Sequence, residues 1–485
     1  MMNTDNTTRE AEWRKALRDA MSAKERTAIG RAEMPMLDAG ERIHSNAEVN
    51  QGLSAEAARR EATRCLDCPD PQCVTGCPVG IDIPGFIKNI QRGDDAAASA
   101  VLRATSALPA VCGRVCPQEK QCESRCIYNK MKKEPVAIGW LERYASDATA
   151  GAAGGEEKPE PNGKKVAVVG SGPAGLSFAG DMARRGYEVT IYEALHEIGG
   201  VLKYGIPEFR LPNSVVDNEL RALERLGVKF CPDTVVGKTL GYDDLVAEGY
   251  AGIFVASGAG LPRFMNIPGE NLINILSSNE YLTRINLMHA GTAGYATPAP
   301  RGKRVAVIGG GNTAMDSVRT ALRMGAEKAF LVYRRSEAEM PARREEVLHA
   351  RQEGVEFMTL CNPIEYIGDE RGRVTTMRVQ RMELGEPDAS GRRSPVAIPG
   401  AVEDIAVDVV IVSVGVSPNP LIPNSIAGLD VTNRGTIAVN DDLQSSIPTI
   451  WAGGDIVRGG ATVILAMGDG RKAAATMHAT LSEAK

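Results

Sequence analysis

From residue 165 onward the chain is built of short, nearly unbroken apolar runs that end in glycine-rich turns. Lys165-Val166-Ala167-Val168-Val169 leads into Gly170-Ser171-Gly172-Pro173-Ala174-Gly175 and a helical stretch, and Glu188-Val189-Thr190-Ile191-Tyr192 follows, ending at Glu193. The same order recurs downstream: Arg304-Val305-Ala306-Val307-Ile308, then Gly309-Gly310-Gly311-Asn312-Thr313-Ala314, then Ala329-Phe330-Leu331-Val332-Tyr333. Two later runs, Ile253–Gly258 and Val409–Gly415, echo each other. Runs of this length between glycine turns read as strands of a parallel sheet covered on both faces, so two related β-α-β units are predicted. Residues before 150 have another texture. Ser54 is placed to cap a helix through residues 55–61, and Pro69, Pro71, Pro78 and Gly80 then break the chain into loops. The Pro/Gly-rich segment TAGAAGGEEKPEPNGK at 149–164 reads as a linker, and GTAGYATPAPRGK at 291–303 as the crossing between the two units. The expected division is a helical domain over 1–150, a linker over 151–164, a first nucleotide unit over 165–290 and 411–485, and a second over 291–410.

The glycine turns carry the first chemistry. In a strand–turn–helix setting, one glycine makes the tight turn, a second admits a pyrophosphate close to backbone, and the helix N-terminus supplies amides and positive dipole. Gly170, Gly172, Pro173, Ala174 and Gly175 fill these places in the first unit; Gly309, Gly311, Asn312, Thr313 and Ala314 fill them in the second. The fold expected is α/β: a helical N-terminal domain followed by two Rossmann-like domains. The residues after each turn distinguish the ligands. Glu193, 23 residues after Gly170, stands where a carboxylate accepts from ribose hydroxyls. The second unit has no carboxylate there; its strand ends in Tyr333-Arg334-Arg335, and guanidinium suits a 2′-phosphate, so NADP is expected over NAD. Further marks of the first site are Gly199-Gly200, Gly453-Gly454-Asp455, and Ala461-Thr462 opening a closing helix. They suit FAD, with Asp455 against the ribityl and pyrophosphate and the helix beneath the isoalloxazine. Neither motif has a cysteine pair beside it, so electrons have to leave the flavin by another route.

Composition narrows the setting. A net charge of −5 gives no surplus of Lys and Arg for a nucleic-acid partner. No apolar stretch of about 18 residues suggests a membrane span, and the polar N-terminus lacks a signal peptide's apolar core, so a cytoplasmic location is expected. Of ten cysteines, eight lie between Cys65 and Cys126, too dense for anything but metal in a reducing compartment. Cys231 and Cys361 stand alone and are expected as buried structural thiols. Cys65-x2-Cys68-x4-Cys73-x3-Cys77-Pro78 is close to the bacterial ferredoxin run, in which the fourth cysteine ligates a different cluster. Cys112-x3-Cys116-Pro117-x4-Cys122-x3-Cys126 supplies further thiols, and by count eight cysteines suffice for two 4Fe–4S clusters. Zinc would call for two short C-x2-C pairs, and only one exists. None of the five histidines sits in a catalytic arrangement, and no catalytic side chain is expected.

These motifs together (CLDCPDPQCVTGCPVGIDIPGFI, CGRVCPQEKQCESRC, GSGPAGL, EIGGVLKYGIPEFRLP, GGGNTAMD, YRR, AGGDIVRG and GDGRKAA) resemble the small, NADPH-oxidising subunit of bacterial glutamate synthase. They are also similar to the large subunit of NADH-dependent ferredoxin:NADP oxidoreductase and to the N-terminal part of dihydropyrimidine dehydrogenase. The resemblance implies a flavin disulfide-reductase type of fold. It also implies a ligand set: Cys65, Cys68, Cys73 and Cys126 for one cluster, and Cys77, Cys116, Cys122 and Glu142 for the other, with Cys112 a bystander. It implies electron passage between NADP(H), FAD and the clusters to a redox partner subunit. That partner would be the glutamate synthase large subunit, or, for a bifurcating flavin, ferredoxin and an NADH-linked flavoprotein. A flavin-bound sensor or scaffold without turnover is the rival from another class.

Overall fold

The computed structural model describes residues 8–151, 158–389 and 391–483. Positions 152–157 of the expected linker lie outside the described residues. The helical domain is helical as expected: Ser54 Oγ accepts from Ala57 N at 3.2 Å and caps the helix Ala55–Thr63, which delivers Cys65. The helices Ile83–Arg92, Pro109–Val115 and Ile138–Ala148 complete its frame. Gly113 lets the last two cross closely, since a Cβ there would lie 2.5 Å from the Arg143 amide nitrogen.

Two five-stranded parallel sheets follow, with matching orders. The first runs Ile450–Ala452, Gly252–Val255, Lys165–Val169, Glu188–Tyr192, Lys229–Cys231. The second runs Ile275–Ser277, Val409–Val412, Arg304–Ile308, Lys328–Tyr333, Glu356–Thr359. The repeat read from the sequence is therefore a repeat of topology. Burial along the central strands is continuous, as a sheet covered on both faces requires.

The crossing between units differs from expectation. Leu261–Pro262 pairs antiparallel with Val416–Ser417, and both crossings pass there. Ile275 already pairs with Val410, so Ile275–Ser277 and the helix Ser278–Leu282 belong to the second unit, as does Val409–Val412. The segment 291–303 is a surface loop before the central strand; its Pro/Gly texture marks a loop and not a boundary. A three-stranded antiparallel ribbon, Cys361–Gly368, Val374–Pro387 and Arg393–Ala406, is appended to the second unit. Cys361 is buried, as expected of a structural thiol, whereas Cys231 is only half-buried.

The modules are tied together. Val49 N donates to the Phe209 carbonyl at 2.9 Å, and Arg103 pairs with Glu219 at 2.9 Å, joining the helical domain to the first unit. Arg343 Nη2 donates to Gln118 Oε1 at 3.0 Å and Lys120 Nζ to the Pro341 carbonyl at 2.6 Å, joining it to the second. Arg210 reaches across from the first unit to Asp316 of the second at 2.8 Å, with both groups buried. No helix is long and apolar enough to cross a membrane among the described residues.

Candidate functional site

The first glycine turn is shaped for an approaching pyrophosphate. Gly170 has φ +102°, and a Cβ there would meet the Ala256 carbonyl oxygen at 2.5 Å. Gly175 is forced by the turn itself, since its Cβ would lie 2.1 Å from the Gly170 carbonyl oxygen. Gly172 differs: nothing lies within 4 Å of a Cβ built on it, so it faces the open cradle at the start of the helix Pro173–Ala183. Glu193 is buried behind the turn. Its Oε2 accepts from Ser171 N at 2.9 Å and Ser171 Oγ at 2.6 Å, and its Oε1 from Leu195 N at 2.9 Å. Oε1 thus keeps acceptor capacity for a ribose diol. Gly200, at φ +54°, packs so that a Cβ would lie 2.9 Å from Gly172 Cα, closing the cradle's side.

The far wall comes from the C-terminal region. Gly454 N donates to buried Asp469 Oδ2 at 2.9 Å, and Arg458 pairs with the same carboxylate at 2.6 Å, fixing the Gly453-Gly454-Asp455 turn. Ala461 N donates to Asp455 Oδ1 at 3.2 Å, and Thr462 Oγ1 accepts from Leu465 N at 3.4 Å where the helix Val463–Glu483 begins. Burial lifts Asp455 to about 6. That helix crosses Pro173–Ala183 closely because Gly470 has no side chain; a Cβ would lie 2.3 Å from the Ala174 carbonyl oxygen.

The second cradle repeats the design. Gly309 has φ +143°, with the Ser413 carbonyl oxygen 2.3 Å from a hypothetical Cβ, while Gly311 opens onto empty space at the head of the helix Asn312–Arg323. Asn312 Oδ1 accepts from Arg343 N at 2.9 Å, and Thr313 and Ala314 form the helix's first turn. The two arginines part company. Arg335 is buried, pairs with Asp388 at 2.6 Å and donates to the Arg393 carbonyl at 2.8 Å, pinning the ribbon. Arg334 is exposed and makes no ion pair among the described residues. Of the two arginines expected at the 2′-phosphate, Arg335 is committed to the ribbon and Arg334 alone keeps its guanidinium in solvent.

The thiols fall into two groups. Burial pushes Cys73 far above the ordinary thiol range, and Cys65, Cys126 and Cys68 each add repulsion. Cys68 is raised by burial and by Cys65 and Cys126. The other group is Cys77, Cys112, Cys116 and Cys122, with Glu142 beside Cys77, Cys112 and Cys122: burial raises Cys77 to about 11, with Glu142 and Cys116 contributing; a hydrogen bond with Cys116 and burial raise Cys112; and burial raises Cys122, with Glu123, Glu142, Cys116 and Cys77 contributing. Thiols that oppose one another's ionisation are stabilised as thiolates by a cationic iron core. Among the described residues no three such groups converge on one point as a single metal ion would need. Glu142 sits on Ile138–Ala148, 5% exposed; burial lifts it to about 8, and its Oε1 has no hydrogen-bond partner. An orphaned buried carboxylate among four thiols fits a cluster ligand. Cys112, 1% exposed, donates from Sγ to Met467 Sδ at 3.5 Å.

Sequence reasoning missed Ser171, Asp469 and Arg343. Ser171 bridges Glu193 to the Gly199 amide, which donates to its Oγ at 2.9 Å. Its place inside the first glycine motif was the available signal. Asp469 lay in the GDGRKAA segment without an assigned role.

Two family models match: dihydropyrimidine dehydrogenase domain II, 4Fe-4S cluster, over residues 42–153, and pyridine nucleotide-disulphide oxidoreductase over 164–470. The glutamate synthase [NADPH] small chain of Halomonas elongata is 37% identical over 459 residues, covering 92% of this chain and 95% of that one. The NADP(+)-dependent formate dehydrogenase subunit beta of Moorella thermoacetica is 39% identical over 437 residues, covering 85% of this chain and 60% of that one. Among solved structures, Mycobacterium tuberculosis FprA in complex with NADPH aligns with a TM-score of 0.56 at 22% identity, over 67% of this chain and 85% of that one. That likeness speaks for the fold of the two nucleotide units.

Proposed function

Because the chain belongs to the glutamate synthase small-chain family, we propose that NADPH docks on the second cradle and FAD on the first, with two 4Fe–4S clusters held in the helical domain. The protein is an NADPH-linked flavin and iron–sulfur oxidoreductase. When bound, the flavin and clusters supply conversion of a two-electron hydride donor into single-electron output.

The chain's own residues orient and insulate. Gly172 and the amides after it receive the FAD pyrophosphate, Glu193 the adenosine ribose, and Gly454, Asp455, Ala461 and Thr462 the flavin's other flank. Gly309, Gly311, Asn312, Thr313 and Ala314 receive the NADPH pyrophosphate, and Arg334 its 2′-phosphate. Cys65, Cys68, Cys73 and Cys126 hold one cluster; Cys77, Cys116, Cys122 and Glu142 hold the other. The observation that carries the reading is contact between the second thiol group and the flavin-side helix. A Cβ on Gly468 would lie 3.2 Å from the Pro78 carbonyl oxygen, next to Cys77, and Cys112 touches Met467 one residue away. The output therefore starts where the helical domain meets the helix Val463–Glu483.

A large subunit is the partner that the small-chain family implies, and a glutamate synthase large chain is the specific choice. The formate dehydrogenase relative favours a second reading, the same module serving a redox partner other than a glutamate synthase large chain. Anaerobic mixing of the loaded protein with NADPH should bleach the flavin far faster than NADH does. A flavin that stays oxidised with both would refute the assignment.

A further inference from the structure

The interior beside the Cys65 group holds two cations without a carboxylate partner among the described residues. Asp67, buried between two of the thiols, takes both Arg14 and Arg18 at 2.7 Å, and the exposed Asp82 and Glu10 stand 3.9 Å from Arg14 and Arg18 in turn. Arg64 has its own partner in Glu61. Two further cations have none. Lys88 is 0% exposed and donates to the Cys65 carbonyl at 2.5 Å and to Gln91 Oε1 at 2.7 Å, with no ion pair among the described residues. Arg26, 3% exposed, donates to the carbonyls of Leu17, Met21 and Thr63 and to the same Gln91 oxygen at 3.4 Å, again without a carboxylate. Two like charges gathered on one amide oxygen in the interior are costly unless an anion faces them. The second thiol group is surrounded differently: the buried carboxylate of Glu142, with one oxygen unpartnered among the described residues, lies among its thiols.

We propose that Lys88, with Arg26, is the fixed counter-charge of the cluster on Cys65, Cys68, Cys73 and Cys126. It makes that cluster the more readily reduced of the two. A four-thiolate iron–sulfur centre gains one negative charge on reduction, and a buried ammonium held beside a ligand residue stabilises the added charge. Electrons arriving from the flavin side then settle on the cluster farther from the helix Val463–Glu483. Lys88 is a tuning residue and touches neither substrate nor transferred hydride. The inference rests on the ligand assignment proposed above.

The test is a redox titration of the anaerobically prepared holoprotein, followed by electron paramagnetic resonance and iron analysis. Lys88→Met and Lys88→Gln remove the charge; glutamine keeps a donor for the Cys65 carbonyl. Both should retain iron and make one cluster at least tenfold harder to reduce, a fall of about 59 mV in a one-electron couple. The signal that moves should be the one unaffected by Glu142→Gln. Lys88→Arg should restore the midpoint. Unchanged midpoints in iron-replete Lys88→Gln would overturn the proposal, as would a shift confined to the Glu142-sensitive cluster. If both neutral variants lose iron, the arginine variant decides: restored iron supports a compensating charge, and loss in all three assigns Lys88 to packing. Failure of the ligand assignment itself would instead show as wild-type iron that does not resolve into two centres.

Discussion

Cys112 Sγ donates to Met467 Sδ across the seam between the iron–sulfur domain and the flavin-side helix, 3.5 Å apart and sealed from solvent. The same side chain hydrogen-bonds with Cys116, and the ligand set proposed above leaves it to pack the seam. Cys112→Ala should therefore keep wild-type iron content while lowering stability by about 1 kcal/mol through the lost sulfur contacts. Iron per chain and a denaturation midpoint measure the two effects; loss of iron in this variant would make Cys112 a ligand.

Glu142 stands in the opposite position, with an oxygen that no group among the described residues satisfies. If that oxygen binds iron, Glu142→Ala removes one ligand of four and roughly half of the iron should become labile. Glu142→Gln keeps the shape and exchanges an anionic donor for a neutral one, so one cluster's spectrum should change and the other's should not. Spectra of both clusters unaltered in either variant would leave Glu142 as a buried acid without a role.

The glycines of the two cradles separate folding from binding. At Gly172 an added methyl meets no protein atom, so Gly172→Ala should fold with a near wild-type melting temperature and purify without flavin. Gly175→Ala strikes the Gly170 carbonyl and should cost several kcal/mol before any ligand is added. Flavin content per folded chain distinguishes the two. A flavin-replete Gly172→Ala would mean that the pyrophosphate does not approach there.

Much of this was legible because it depends on local pattern. Apolar runs ending in glycine predicted both sheets, since a strand covered on two faces cannot alternate. Cysteine spacing alone located the metal domain, but left Cys112 as natural a ligand as any. Glu142 is absent from every spacing rule because it comes from a helix brought in by the close crossing at Gly113. The pairing of Arg335 with Asp388 was hidden for a similar reason: Asp388 is on a ribbon 53 residues away in sequence. The crossing between units was misplaced because two-residue strands such as Leu261–Pro262 leave no periodic signal.

Asp455 gives the flavin site a pH signature. Its folded value of about 6 lies above that of an unfolded carboxylate, because burial penalises the charged form. Between roughly pH 4 and 6 the folded, flavin-free chain therefore holds a proton that the unfolded chain releases, so this group's contribution falls as pH rises through that window. Asp455→Asn should flatten the trend, by on the order of 1–2 kcal/mol between pH 5 and 7.5 in denaturant titrations. An identical pH slope in the variant would place the proton elsewhere.

Arg334 and Arg335 are adjacent in sequence and should fail in different ways. Arg334 is exposed at the strand end beyond the second cradle, where its guanidinium is available to a 2′-phosphate. Arg334→Glu replaces attraction with repulsion and should weaken NADPH by on the order of 10–100-fold, or about 1.4–2.7 kcal/mol, while changing NADH little. Arg335 is committed to Asp388 and the Arg393 carbonyl, so Arg335→Ala should cost about 2 kcal/mol of stability and leave the preference between the two nucleotides nearly intact. Dissociation constants for both nucleotides, set beside melting curves for both variants, separate recognition from support. If Arg335→Ala alone abolished the preference, binding of the 2′-phosphate would have to break the Asp388 pair, and Asp388→Asn would then tighten NADPH.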